Sequence, residues 1–279
     1  MDAACITDRY LETLGLERRP PDLALLREIA RRHVARWPFS SVGTNLAEDL
    51  PLDLASLYDR IVVRQRGGYC FEHNGLVHDV LVNLGYRVVL TLGRVASNRS
   101  AHPGLTHRIS LVDCAEGRQL VDVGFGPMGP DGPVAWTGEP REPGSRSFRV
   151  AEPRPGEFHL QTWKDEAWST LYRFELARYG QADCELGHFY SHRHPEAVFV
   201  NNLVASRILH DETRSLRNAS YRILRAAGDR ETAIVSAGQL HRILVEDFGL
   251  ALTEVESAHL HDRFVRAGGV NAPTSGEER

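Results

Sequence analysis

An α+β architecture is predicted by three observations on this 279-residue chain. Apolar residues recur at helical spacing through the first third, the period falls to two from Tyr86 onward, and the last third carries both patterns. With 42% hydrophobic residues, a chain of this length can bury a full core without disulfide staples.

The first predicted helix follows Pro20-Pro21-Asp22 and runs over Leu23–Trp37, with Leu26, Ile29, Ala30, His33 and Val34 near helical spacing and Pro38 as its stop. A second starts from Asp53, a good N-cap, and carries Leu54, Leu57, Tyr58, Ile61 and Val62. A third begins after Gly67-Gly68, places Val77, Val80, Leu81 and Leu84 on one face, and ends at Gly85. Antiparallel strands are then predicted around Val88, Leu90 and Leu92, over His107–Val112, over Arg118–Val123, and at Glu157–Trp163 and Ser169–Glu175. Gly and Pro crowd the stretch 126–155, which reads as a long irregular connection. In the last third, Phe199–Val204 and Ser215–Leu224 read as strands. Capping boxes, Ser236 with Gln239 and Thr253 with Glu256, open two helices that Gly249 and Gly268 close. The tail 271–279 reads as disordered.

Charge narrows the function classes. With 33 basic and 37 acidic residues the formal net charge is −4, which offers no footprint for nucleic acid or an anionic membrane. No apolar run approaches the roughly 20 residues that span a bilayer. The opening Met1-Asp2-Ala3-Ala4-Cys5 lacks signal-peptide features, so a cytoplasmic location is expected. Cys5, Cys70, Cys114 and Cys184 are too scattered for a disulfide framework, and in a reducing compartment one of them can be a working thiol.

The strongest local feature is Arg66-Gly67-Gly68-Tyr69-Cys70-Phe71-Glu72-His73-Asn74. A cysteine just after a Gly-Gly turn, in the first turn of a helix, meets orphan N–H groups and the positive end of the macrodipole, both of which stabilise a thiolate. Simple packing explains most buried cysteines, so the position alone leaves both readings open. A nucleophilic thiol needs a base and a group that orients it. His107 comes 37 residues later at a strand start, and Asp122 another 15 on, near the end of the next strand. A hairpin would set them side by side, although strand-end His and Asp also serve turns.

Two motifs are decoys. Gly124-Phe125-Gly126-Pro127-Met128-Gly129 spells a dinucleotide fingerprint, but Pro127, Pro130 and Pro133 forbid the helix that would hold a pyrophosphate. Neither a nicotinamide nor a flavin is expected. Cys184, His188, His192 and His194 are metal-ligand types, yet Pro195 ends any helix they share and no second ligand cluster follows, so no metal is expected.

The motif around Cys70, with Thr106-His107-Arg108 and Leu120-Val121-Asp122-Val123-Gly124-Phe125-Gly126, resembles the arylamine N-acetyltransferases in all three catalytic segments. The resemblance extends to Tyr10-Leu11-Glu12-Thr13-Leu14-Gly15-Leu16, Leu171-Tyr172-Arg173-Phe174 and Tyr190-Ser191-His192-Arg193-His194-Pro195, covering nearly the whole chain. It implies a cysteine-proteinase-like arrangement in three parts: a helical bundle over 1–85 with the nucleophile, an antiparallel β-barrel over 86–195 with His and Asp, and an α/β lid over 196–270. It also implies a Cys70, His107, Asp122 triad, acetyl-CoA as donor and a small aromatic amine as acceptor. Phe125 matches a position lining the acceptor pocket, Gly126 belongs to the donor turn, and Tyr69, which flanks the nucleophile, is the third candidate substrate contact, although packing is its first role.

One departure stands out. Where the family has Pro-Phe-Glu-Asn-Leu, this chain has Pro38-Phe39-Ser40-Ser41-Val42, which removes the usual acidic partner of Arg66 unless Glu48, Asp49 or another carboxylate substitutes. Competing readings on the same triad are an amide synthase closing a macrolactam from a carrier-bound polyketide and a transglutaminase-like thiol hydrolase. A binding module without catalysis would not need the trio.

Overall fold

The computed structural model describes residues 1–96, 104–136 and 146–266. Helices α1 (Ala3–Thr13), α2 (Leu23–Arg36), α3 (Val42–Asn45), α4 (Leu54–Tyr58, continued as a wider turn to Val63) and α5 (Cys70–Asn83) form the first third, interrupted by a two-residue strand, β1 (Phe39–Ser40). Their starts are set by side chains that serve orphan N–H groups: Asp22 accepts from Leu25 N at 2.6 Å, and Asp53 from Ser56 N at 3.0 Å. Apolar faces of α1, α2, α4 and α5 bury Tyr10, Leu25, Ile29, Leu57, Phe71 and Val80 in one core.

Seven strands follow the bundle: β2 (Arg87–Val95), β3 (His107–Cys114), β4 (Gly117–Val121), β5 (Val134–Ala135), β6 (Phe148–Arg154), β7 (Glu157–Lys164) and β8 (Ala167–Glu175). They form one antiparallel sheet in the order β5-β4-β3-β2-β8-β7-β6, whose edge strands approach each other to make a nearly closed barrel. Residues 126–155 therefore contain more than an irregular connection. β6 escapes the sequence reading because Pro153 lies in it, and an edge strand tolerates that proline.

The remaining elements are α6 (Gln181–Arg193), α7 (Val198–Asn201), β9 (Val204–Ile208), β10 (Glu212–Arg217), β11 (Ser220–Arg225), β12 (Arg230–Ala233), α8 (Ala237–Arg242, continued to Asp247) and α9 (Glu254–His261, continued to Arg266). Two readings need correction here. Phe199–Val204 is not a strand but a helical turn leading into β9. Asn201 and Asn202 donate to Ala197 O and Val198 O at 3.0 Å, a local bonding pattern that competes with a ladder. Ser215–Leu224 is a hairpin rather than one strand, turning at Asn218, which adopts φ 51°. Thr253 and Glu256 form the expected box; Ser236 caps Gln239 N, but Gln239 turns its own oxygen to Val235 N instead. Gly268 and the tail 271–279 lie outside the described residues.

β1 joins the lid sheet, whose order is β1-β9-β10-β11-β12. A piece of the N-terminal segment thereby forms the edge of the C-terminal sheet, and Phe39 also bridges to Gly68, two residues before Cys70. Bundle, barrel and lid thus meet at the start of α5. No helix among the described residues is long and apolar enough to cross a membrane.

Candidate active site

Cys70 is the first residue of α5, where its own N–H has no preceding turn to serve. The cap is built by Glu72, which accepts from Tyr69 N at 3.0 Å. The thiol is buried and donates to Thr106 O at 3.4 Å, so the strand carrying His107 passes directly against it.

His107 opens β3, and Asp122 follows β4, the strand paired with it. His107 Nε2 donates to Asp122 Oδ2 at 2.7 Å, which leaves Nδ1 for the thiol. Burial works against a charged ring, but the Asp122 carboxylate overrides it, aided by the Cys70 hydrogen bond, and His107 is held above the ordinary imidazole range. Asp122 is pushed upward by burial and drawn below its usual range by His107, Asn74 and Gly124. The sequence-predicted trio is therefore one contiguous, buried set.

Asn74 holds the set in register. One turn after Cys70 on the same helix, its Nδ2 donates to Asp122 Oδ1 at 2.8 Å and Arg108 O at 2.6 Å, while its Oδ1 accepts from Val123 N at 2.8 Å. Those partners fix the amide orientation, since two only accept and one only donates. Gly124 N completes the shell on Asp122 Oδ1 at 3.0 Å. A β-carbon at Gly124 would lie 2.8 Å from Cys70 Cα, so only glycine allows this approach.

A cleft of about 810 Å³ opens beside the thiol, lined by Cys70, Thr106, His107 and Phe125, by Tyr190, Val198 and Phe199, and by the lid sheet. Phe125 packs edge-on to His107, with ring centres 5.2 Å apart, and Tyr172 closes behind both rings. Burial, with the Asp122 charge, keeps the Tyr172 phenol protonated.

The N-acetyltransferase family model matches residues 22–257. Among curated relatives, the arylamine N-acetyltransferase of Mycolicibacterium smegmatis is 32% identical over 263 residues, covering 91% of this chain and 95% of the relative. The chain belongs to the arylamine N-acetyltransferase family. The Salmonella typhimurium arylamine N-acetyltransferase superposes with a TM-score of 0.85 at 28% identity, covering 92% of this chain and 98% of that one. The Mycobacterium marinum enzyme, solved in complex with CoA, gives the same TM-score, identity and coverages.

Within this arylamine N-acetyltransferase fold, the departure at Ser40 is answered by Glu48. Its carboxylate pairs with Arg66, with Nε at 3.0 Å, and its other oxygen pairs with Arg60. Arg60 in turn reaches Glu72 at 2.6 Å, beneath the nucleophile's helix start. Arg66 also binds Glu256 Oε1 and Ala251 O, each at 2.7 Å, and so ties lid to bundle. Ser40 itself accepts from Val42 N at 3.0 Å, beside Gly67.

Phe125 lies where expected, in the cleft. Gly126 sits just behind it with φ 89°, and a β-carbon there would stand 3.6 Å from Ser206 Oγ. Neither Gly126 nor Tyr69 is in the cleft lining, and Tyr69 is wholly buried, its hydroxyl bonded to His188 Nδ1 at 2.6 Å and its ring stacked on that histidine. It is a pillar between α5 and α6. The second decoy resolves into the same packing. His188 Nε2 donates to Leu50 O at 2.8 Å, and His192 Nδ1 to His188 O at 2.6 Å. Sequence reasoning missed Asn74, although its i+4 spacing from Cys70 was a usable signal. It also missed the lid residues of the cleft, which carry none.

Proposed function

We propose that this chain transfers the acetyl group of acetyl-CoA to the nitrogen of an arylamine, arylhydroxylamine or hydrazine through a thioester on Cys70. The observation that carries this reading is the buried Cys70–His107–Asp122 set opening on a cleft with aromatic walls. Curated relatives named arylamine N-acetyltransferase and a neighbour solved with CoA support the same substrates.

His107 takes the Cys70 proton, and the resulting imidazolium, braced by Asp122, is the counter-ion for the thiolate. The sulfur attacks the acetyl carbonyl carbon, and the oxyanion is received by N–H groups at the start of α5, that of Cys70 first. The carbon–sulfur bond to coenzyme A breaks as His107 returns its proton to that leaving thiolate. The amine nitrogen then attacks the acetyl-cysteine, His107 takes the proton lost from nitrogen, and Cys70 leaves as thiolate. Sulfur suits the task because exchange between two thioesters is nearly isoenergetic, whereas a serine ester would retain less transfer potential.

The test is to incubate the protein with acetyl-CoA, locate the adduct by intact mass and peptide mapping, and then add an arylamine. Acetylation confined to Cys70, absent in Cys70→Ser and discharged by the amine, is expected. Label only on Cys5, Cys114 or Cys184, or acetate released at full rate without amine, would overturn the reading.

A further inference from the structure

The backbone of Tyr69 is held at both ends. Its N–H donates to Glu72 Oε2 at 3.0 Å, and its carbonyl accepts from Glu72 N at 3.0 Å and His73 N at 2.9 Å. Between these bonds, the N–H groups of Cys70 and Phe71 have no acceptor among the described residues, although both residues are buried. Two buried donors left open beside the nucleophile are costly, and they keep their place only if the helix start that carries them is rigid.

That rigidity comes from a buried ion pair. Glu72 is 1% exposed, and its Oε1 lies 2.6 Å from the Nε of Arg60, which is 4% exposed. Neither atom makes an aligned hydrogen bond, so the two meet as charges rather than as donor and acceptor. Arg60 sits in the wide turn that continues α4, where its carbonyl receives Arg66 N at 3.0 Å, and its far side is paired with Glu48. Two glycines clear the space: a β-carbon at Gly43 would collide with Arg60 Nη2, and one at Gly68 would stand 2.9 Å from Glu72 Cβ. Taking a carboxylate and a guanidinium out of water costs more than one cap bond returns, so stability does not explain the pair. What it fixes is geometry. With Tyr69 N and O both held, Cys70 has one backbone direction, its thiol against Thr106 O and its own N–H unclaimed.

We propose that Glu72 and Arg60 are positioning residues for acetyl transfer: their charge contact clamps the Tyr69 backbone so that Cys70 keeps one pose and the N–H groups of Cys70 and Phe71 stay open to the oxyanion. Neither residue lines the cleft, so both act through Tyr69 and Cys70. This rests on the acetyl-transfer reading above.

The test follows the rate constant of Cys70 acetylation at saturating acetyl-CoA, by quenched intact mass, in the full chain and in Glu72→Gln, Arg60→Met, Arg60→Lys and the double variant Glu72→Gln with Arg60→Met. Only folded sites react, so a loss of stability alone does not move the rate constant. Glu72→Gln keeps an oxygen for Tyr69 N but removes the charge. It should slow acetylation about tenfold, while the donor concentration for half-maximal rate changes by less than about twofold. Arg60→Met should slow it as much, and Arg60→Lys less. Because both single changes break one contact, the double variant should be no slower than the slower single one. A pair that only stabilises the fold would lower Tm and leave the rate constant at the wild-type value, which overturns the proposal. Losses that multiply in the double variant also overturn it, since the two residues would then act apart. If wild-type Cys70 takes no acetyl group, the acetyl-transfer reading fails and the positioning role falls with it; variants that acetylate at the full rate sink the positioning role alone.

Discussion

Two buried histidines, one on α5 and one at the start of β3, are held in opposite charge states. His107 is 2% exposed and His73 1% exposed, and each has a ring partner at 2.7 Å. For His107 the partner is the Asp122 carboxylate; for His73 it is the ring of His33. Burial, with a contribution from the Arg60 charge, drives His73 down to about 4 against its backbone hydrogen bonds, whereas the burial at His107 is overridden by the carboxylate. The partner, not the depth, decides whether a buried imidazole is a cation or a spacer.

His73 belongs to a fully assigned wire. Pro38 O can only accept, so His73 Nε2 carries a proton and donates to it at 3.0 Å; His73 Nδ1 then accepts from His33 Nε2, and His33 Nδ1 from the Tyr10 hydroxyl at 2.9 Å. Every ring is neutral and each hydrogen bond runs the same way. The wire joins α1, α2 and α5 with no acid–base capacity near neutral pH.

The sharpest way to break this contrast is Asp122→Asn, which turns His107 into a second His73. Acetyl transfer should fall on the order of 10³-fold, because the amide fixes the wrong ring tautomer and no longer steadies the imidazolium. The His107 ring protons should report it directly by NMR. In the wild type the imidazolium persists toward about 10; in the variant burial wins and the ring is neutral at pH 7. A wild-type His107 that titrates below its ordinary value would refute the assignment. A raised folded value at His107 adds stability that is complete below about pH 6.5 and is lost as pH climbs through about 10.

A smaller effect comes from the other side of the comparison. His73→Leu leaves His33 Nε2–H and Pro38 O unpartnered, and should cost about 2 kcal/mol in denaturant unfolding while the folded fraction still acetylates Cys70. Its acid behaviour is the better test. Because folded His73 refuses a proton that the unfolded chain accepts, wild-type stability drops between about pH 6.5 and 4, by up to about 1.4 kcal/mol per pH unit for each such histidine. The variant's slope should be shallower by one proton. An unchanged slope would mean that His73 is not held neutral.

How much of this was legible from residues alone divides along the same line. Cys70, His107 and Asp122 could be read because a Gly-Gly turn, a strand start and a strand end each announce a position, and a hairpin does the rest. Their supports carry fainter signals: Asn74 needs helix periodicity applied to a polar residue, and the His33–His73 contact needs the packing of α2 on α5. Tyr69 reads as a substrate neighbour but lies outside the cleft lining, because adjacency to a nucleophile in sequence says nothing about side-chain direction at a helix cap. The lid residues of the cleft were invisible, since the hairpin at Asn218 hides in a run that reads as one strand and their position depends on pairing with β9.

The smallest effect concerns what stands in for the acid missing at Ser40. Glu48 bridges Arg60 and Arg66 in a nearly dry site, whereas Glu256 gives Arg66 one contact at 2.7 Å from a side chain 30% exposed. Glu256→Gln should therefore cost about 1 kcal/mol or less. Glu48→Gln should cost more, because it removes the charge shared by two buried guanidinium groups and leaves Arg60 with Glu72 and Arg66 with Glu256 as their remaining carboxylates. Partial burial raises the Glu256 carboxyl, but Arg66 and the Thr253 cap outweigh it and hold the group at about 2. A depressed folded value contributes stability above the ordinary carboxylate range, near pH 4.3, and loses it as pH falls through about 2. The gap between wild type and Glu256→Gln in thermal unfolding should thus be full at pH 7 and close toward pH 2. If Glu256→Gln proves as costly as Glu48→Gln at pH 7, the lid rather than the bundle supplies the replacement acid, and anchoring of the nucleophile's helix start depends on lid docking.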